Sequence, residues 1–179
     1  VTTSLWSQEQ FEMEDIFSLQ YANEIQIAPD GKHIVYRKMG YDIMEDRSVG
    51  ALWIMNLEGS MHQKLTSLDQ SENSPLWSPS GDRIAFISQG KVGSEIFIYW
   101  LNSGNFARIS QLPQSPSSLT WSPDGTQLAF YKFDESNVKE FSMGMFNSKL
   151  YPSQNEFKYP KAGEENSKVS IHIYNFDNQ

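Results

Sequence analysis

Three clusters of carboxylates are the groups in this chain best suited to chemistry. Asp42, Glu45 and Asp46 form one, Asp134 and Glu135 a second, and Glu164 and Glu165 a third. Paired carboxylates can hold a cation or a substrate's ammonium group, because adjacent like charges favour a positive partner. The competing reading is a set of solvated loops, where acids normally sit. Glu45, Asp46, Asp134 and Glu135 are the candidates for a substrate-facing or partner-facing role. Other chemistry finds no support. His33, His62 and His172 are scattered, without His-Glu-x-x-His and without a pair at metal-ligand spacing. They read as structural or exposed. No Gly-x-Ser-x-Gly elbow offers a serine nucleophile. Gly50, Gly59, Gly90 and Gly93 read as turn residues, not as a phosphate cradle. The chain has no cysteine, which excludes disulfides and thiolate metal sites. The sequence therefore assigns no catalytic, cofactor-binding or metal-ligating residue.

The elements that carry these groups are set by a repeat. Ile25 to Tyr36, Ser74 to Phe86 and Ser118 to Phe130 align, and Pro29, Pro79 and Pro123 lie 50 and then 44 residues apart. That period belongs to four-stranded propeller blades, not helical solenoids. In each unit an apolar strand ends in a Ser-Pro-Asp-Gly type turn. Proline presets φ, Asp or Ser caps the turn, and glycine accepts positive φ. A short apolar strand returns, so each motif marks a hairpin. Third strands follow at Ala51 to Leu57 and Glu95 to Leu101, with fourth strands near Gln63 to Thr66 and Ala107 to Ser110. In Glu95 to Leu101 both alternating faces are apolar, as burial between neighbouring blades requires. Trp53, Trp77, Trp100 and Trp121 fall within strand patterns and read as blade packing, not as stacking platforms.

The third unit differs. Its third strand, Val169 to Phe176, comes late, after a segment 132–168 whose Pro152, Pro160, Gly144 and Gly163 among polar residues predict little regular structure. Ser7 can cap a short helix holding Phe11 and Ile16. The expected fold is all-β: a partial β-propeller of about three four-stranded antiparallel blades, the last incomplete. An N-terminal helix or arm spans 1–21, with blades at 22–68, 69–112 and 113–179.

Bulk properties narrow the partners. The net charge is −8 over 179 residues, which argues against a phosphate backbone as partner. No apolar run approaches the ~18 residues of a membrane span. Val1 to Gln10 has neither a basic nor an apolar leader region and does not read as a signal peptide. The compartment stays open between bacterial periplasm and cytoplasm.

Ile27-Ala28-Pro29-Asp30-Gly31, Trp77-Ser78-Pro79-Ser80-Gly81 and Trp121-Ser122-Pro123-Asp124-Gly125 resemble the propeller repeats of acylaminoacyl peptidases and TolB-like proteins. Glu14 to Leu19 resembles the opening of such peptidases. Tyr131 to Ser136, Tyr151-Pro152, Phe157 to Glu164 and Asn166 to Val169 resemble the N-terminal propeller of bacterial dipeptidyl peptidase IV. The resemblance implies a non-catalytic propeller of the prolyl oligopeptidase clan. Such a domain filters access to a serine in a separate α/β-hydrolase domain and positions peptide N-termini. Its long loops between second and third strands can face the substrate cavity, which lends weight to Glu45 and Asp46. In dipeptidyl peptidase IV relatives a glutamate pair before the Trp-Ser-Pro turn grips the substrate amine. Here Asn105 to Gln114 contains no acid, so that anchor is not carried over.

Two other readings stand beside this one. The chain can be a TolB-like module holding a protein partner. It can also be a fusion of two pieces joined near Trp121 to Phe130, with no activity of its own. In every case about three blades cannot close a ring. Apolar outer faces and an unpaired strand near Val169 to Phe176 predict self-association, most simply as a symmetric dimer. No cofactor is expected.

Overall fold

The structure is a computed structural model that describes residues 11–68, 70–89, 93–146 and 151–176. It is built from antiparallel strands. The first sheet contains β1 (Tyr21–Ile27), β2 (His33–Asp42), β3 (Arg47–Asn56) and β4 (His62–Lys64), hydrogen-bonded in chain order. The second repeats that meander with β5 (Ser71–Trp77), β6 (Arg83–Gln89), β7 (Ser94–Trp100) and β8 (Phe106–Arg108). Then follow β9 (Ser117–Trp121), β10 (Gln127–Asp134), a hairpin of β11 (Glu140–Met145) and β12 (Ser153–Lys158), and β13 (Lys168–Asn175). β13 pairs with β10 to give a third sheet in the order β13-β10-β9. The expected partial propeller of four-stranded antiparallel blades is present, its third sheet one strand short.

The turn motif behaves as its residue types require. Gly31, Gly81 and Gly125 have φ of 67°, 73° and 71°. Their amides donate to Ala28, Ser78 and Ser122 carbonyls, each at 2.9 Å. Asp30 and Asp124 accept the amides of Lys32 (2.7 Å) and Thr126 (3.1 Å). Where blade 2 has Ser80 instead of Asp, Asp82 closes the turn by accepting the Ser78 hydroxyl at 2.9 Å and that of Ser80.

The innermost strands share a feature with no glycine signature. Glu24, Ser74 and Ser118 have φ of 50°, 54° and 56°, and each precedes its motif proline by five residues. At β1 and β5 the pairing register shifts between Asn23 and Gln26 and between Asn73 and Leu76. A third shift separates Ala129 and Tyr131 opposite β9. Each innermost strand therefore carries a β-bulge at the same repeat position, with a non-glycine residue in the left-handed region.

Two apolar layers join the sheets. Val35, Leu52 and Ile54 of blade 1 pack with Trp77, Ile84, Phe86 and Tyr99 of blade 2. Ala85, Ile96 and Ile98, on the other face of blade 2, pack with Leu128 and Phe130 of blade 3. Blade 2 is thus buried on both faces, as the apolar run in β7 predicts. A repeated latch accompanies each seam. Trp77 Nε1 donates to the Gln26 carbonyl and Trp121 Nε1 to the Leu76 carbonyl, both at 3.3 Å. Trp121→Phe keeps most of the ring but removes that donor. It is expected to cost about 1 kcal/mol, read as a lower urea midpoint at unchanged slope.

Several expectations are corrected. The segment 132–168 is not irregular: it extends β10 to Asp134 and folds into the β11–β12 hairpin. Phe141 faces Phe157 across the strands, with ring centroids 5.9 Å apart, and Tyr159 packs beside both at 6.0 and 6.2 Å. Lys158 pairs with Glu140 at 3.2 Å. These cross-strand pairs stabilise the hairpin, while Pro152 and Pro160 sit outside its strands. Gly50 is not a turn residue but lies within β3, where an added Cβ would overlap the Arg37 guanidinium and the Met39 sulfur. Gly90 and Ser7 lie outside the described residues. The helical feature near the N-terminus is a single 3-10 turn, Met13–Phe17, capped by Glu12 through a reciprocal box with Asp15. Trp53 lies on the outer face of blade 1, with the Lys38 ammonium 4.6 Å from its ring centre.

Candidate functional site

The two candidate acid pairs occupy equivalent places, where the second strand of a blade ends. In blade 1, β2 and β3 are joined by a tight four-residue turn, shorter than the long loop the resemblance implies. Asp42 Oδ1 accepts the amides of Met44 (3.0 Å) and Glu45 (3.2 Å), the geometry of an Asx turn. Asp46 has φ of 48°, and its carboxylate accepts the Tyr41 hydroxyl. That bond holds the Tyr41 phenol above its usual range, since losing the proton would place two anions in contact. Glu45 lies 3.8 Å from the Arg47 guanidinium, both well exposed.

In blade 3, Asp134 ends β10 opposite Lys168 of β13. Its Oδ1 accepts the Ser136 amide at 2.9 Å. Hydrogen bonds from Ser136, helped by the charges of Lys168 and Lys132, hold its carboxyl below the usual range. The Glu135 carbonyl accepts the amide of buried Val138 at 3.0 Å. Together they set the exit of the chain toward β11. Among the described residues, no hydrogen bond or ion pair links the Glu45–Asp46 turn to the Asp134–Glu135 turn.

The third acidic cluster is also structural. Glu164 accepts Lys139 Nζ at 2.6 Å and the Lys161 amide at 3.1 Å, and pins the base of the hairpin. The Lys139 bond, first, lowers the Glu164 carboxyl. The histidines are separate. His33 Nδ1 lies 2.8 Å from Asp30, His62 Nε2 lies 2.7 Å from the Tyr36 hydroxyl, and His172 stacks on Phe130. Among the described residues, no three His, Cys, Asp or Glu side chains converge as metal ligands.

Two acids outside the sequence-based set join the first two blades. Glu72, at the start of β5, is fully buried. It accepts the Leu52 amide at 2.9 Å and the Thr66 hydroxyl. Strand β4 stops at Lys64 opposite Trp53, so at Leu52 the carboxylate takes over as acceptor. Burial raises the Glu72 carboxyl; the Thr66 and Leu52 bonds and the Lys64 charge oppose that rise. Glu24 sits on the β1 bulge. It accepts the amide of Ser74, its counterpart in the next blade, at 2.5 Å, and lies 3.4 Å from Arg37 Nη1. The signal for Glu72 was a charge at a repeat position held by Ala22 and Pro116 in the other units. Glu24 carried a fainter one, a charge where the other units hold the polar residues Ser74 and Ser118.

Comparison with known proteins places this architecture. Residues 113–179 match the family described as the dipeptidyl peptidase IV N-terminal region. Over 75 residues the chain is 33% identical to dipeptidyl-peptidase 5 of Porphyromonas gingivalis, covering 42% of this chain and 11% of that protein. Among solved structures, Porphyromonas gingivalis dipeptidyl peptidase 4 superposes with a TM-score of 0.70 at 27% identity, over 88% of this chain and 24% of that one. Pyrococcus horikoshii acylaminoacyl peptidase superposes with a TM-score of 0.67 at 15% identity, over 94% of this chain and 25% of that one, a likeness of fold. The chain spans about a tenth of the curated relative and about a quarter of each solved chain. Residues 113–179 thus resemble a dipeptidyl peptidase IV N-terminal region, and the partial β-propeller is similar in fold, over most of the chain, to dipeptidyl peptidase 4.

Proposed function

We propose that this propeller is a non-catalytic wall for a separate α/β-hydrolase domain, where it filters peptides and positions their N-termini. The observation that carries this reading is the likeness to dipeptidyl peptidase 4 over 88% of the chain, in a sequence with no nucleophile elbow. Glu45 and Asp46 are exposed carboxylates at one second-strand end, with exposed Asp134 and half-buried Glu135 at another. Such negative groups attract a peptide's ammonium terminus before it reaches a catalytic serine.

The test has two parts. The chain alone is expected to take up no fluorophosphonate probe and to leave dipeptidyl anilides intact. It is then exchanged for the superposing segment of Porphyromonas gingivalis dipeptidyl peptidase 4. Glu45→Gln with Asp46→Asn in that hybrid should raise KM for free-amino peptides about threefold at unchanged kcat, the pattern of lost uniform binding. Fluorophosphonate labelling of the chain alone, or an unchanged KM in a hybrid that labels normally, would contradict the proposal.

A further inference from the structure

Blade 2 is packed on one side by blade 1 and on the other by blade 3, so both seams lie wholly inside the chain. Their relative strength is therefore set by the described residues, whatever covers the outer faces. At the end of the blades that holds the motif turns, both seams are fastened. Each has its tryptophan latch, and Pro29 and Pro79 lie against Gly81 and Gly125, where an added Cβ would sit 3.5 and 3.6 Å from the proline Cδ. The second seam has a further fastening there. Arg83 Nη2 donates to the Gly125 carbonyl at 3.0 Å, and the guanidinium lies 5.1 Å from the Trp121 ring centre and 4.9 Å from that of Phe176. The same repeat position in blade 1 is His33, which turns back to Asp30.

The opposite ends of the seams differ. On β2, Arg37 and Met39 alternate with Val35 and face blade 2. Met39 is 7% exposed, and Arg37 Nη2 donates to Ser71 Oγ at 3.1 Å. Glu24 accepts the Ser74 amide and Glu72 the Leu52 amide, so this seam is bridged by charged groups as well as filled. On β6, Ile87 and Gln89 alternate with Ala85 and face blade 3. Gln89 holds the repeat position of Met39, yet it is exposed. Opposite it, Lys132 and Asp134 alternate with Phe130, and Asp134 is also exposed. Among the described residues, no hydrogen bond or ion pair joins Gln89 to Lys132 or Asp134. The link at this end is the Ser115 hydroxyl, which donates to Ser94 Oγ at 2.8 Å from the connector between the blades. The backbone follows the same division. β5 lies close along β1, β2 and β3, whereas on its other side it approaches β9.

We propose that the seam between blades 2 and 3 is the hinge of this structure, pinned by Arg83 at the motif-turn end and opening at the other, while blades 1 and 2 move as one body. Opening swings the Asp134–Glu135 turn and the β11–β12 hairpin away from blade 2. It parts Gln89 from Lys132 and Asp134, polar groups that water receives readily. Opening the first seam at the same end would instead uncover Met39 and separate the Leu52 amide from Glu72, which costs both apolar burial and a buried hydrogen bond.

Two measurements on the full 179-residue chain test the hinge. The first is hydrogen exchange in low urea. β2 and β10 each have a paired strand on both sides, so edge fraying affects them alike. Amides of β10 should open about tenfold more often than those of β2, in a step of their own, with β2 opening only together with β6. Arg83→Met keeps the stem and removes the donor. It should speed β10 exchange by about a further tenfold, in line with loss of a charged hydrogen bond, and leave β2 unchanged. The second measurement is the distance between spin labels on Gln89→Cys and Asp134→Cys, which label uniquely because the chain has no other cysteine. A longer, broad population should accompany the closed one. β2 and β10 opening in one step, an Arg83→Met chain that speeds both alike, or a single narrow label distance would each overturn the proposal. If Arg83→Met fails to fold, the wild-type exchange and the label distances decide.

Discussion

Phe86→Ala is expected to lower the unfolding free energy by about 4 kcal/mol, the range for deleting a fully buried phenylalanine. Phe86 is in the middle of β6, has no exposed surface and stacks on Phe97 with ring centroids 5.6 Å apart. It belongs to the layer that joins blade 1 to blade 2, and its removal leaves a cavity that neither sheet can close alone. Since a small domain has only about 5–15 kcal/mol in total, the variant should approach the edge of folding. Urea unfolding at constant slope measures the effect. A loss below about 1 kcal/mol would mean that the two blades do not pack on this ring.

Glu72 carries the second large effect. Glu72→Ala strands the Leu52 amide and the Thr66 hydroxyl in a buried seam and should cost about 3 kcal/mol, with each orphaned group contributing about 1–3 kcal/mol. The charge itself has an opposite signature. Burial raises the Glu72 carboxyl above the 4.5 of an exposed glutamate, so the folded chain holds this proton more tightly than the unfolded chain does. The resulting stabilisation is complete below 4.5 and is lost as pH rises through the raised value. Glu72→Gln has no such proton. The stability of wild type minus that of Glu72→Gln should therefore grow in the wild type's favour as pH falls from about 7 to about 4. A difference that shrinks over this range would show that the hydrogen bonds to the carboxylate outweigh its burial.

The repeat was legible because its turns admit few residues. A proline, an Asp or Ser and a glycine at fixed offsets leave the chain little choice, and Gly31, Gly81 and Gly125 adopt the positive φ that the motif demands. The doubly apolar β7 likewise announced a blade covered on both sides. The bulges at Glu24, Ser74 and Ser118 were not legible. Their left-handed backbone is imposed by the strand pairing, and the side chains give no sign of it. The β11–β12 hairpin was hidden for another reason. Its stability rests on Phe141, Phe157 and Tyr159 meeting across strands, while its flanking prolines suggested irregular structure. The acids were visible by type, but their roles were not. Asp42 and Asp134 hold backbone turns, and the carboxylates that join two blades, Glu24 and Glu72, lay outside every cluster.

The central claim is that three sheets stack in sequence and that, among the described residues, the middle one is covered on both faces. Hydrogen exchange resolved by strand, in dilute solution, tests it most directly. Amides of β6 and β7 should exchange last, those of β13 and β1 much sooner, and those of the β11–β12 hairpin first. Equal protection of β13 and β6 in a monomeric sample would contradict the stack, because it would require a covering layer on blade 3.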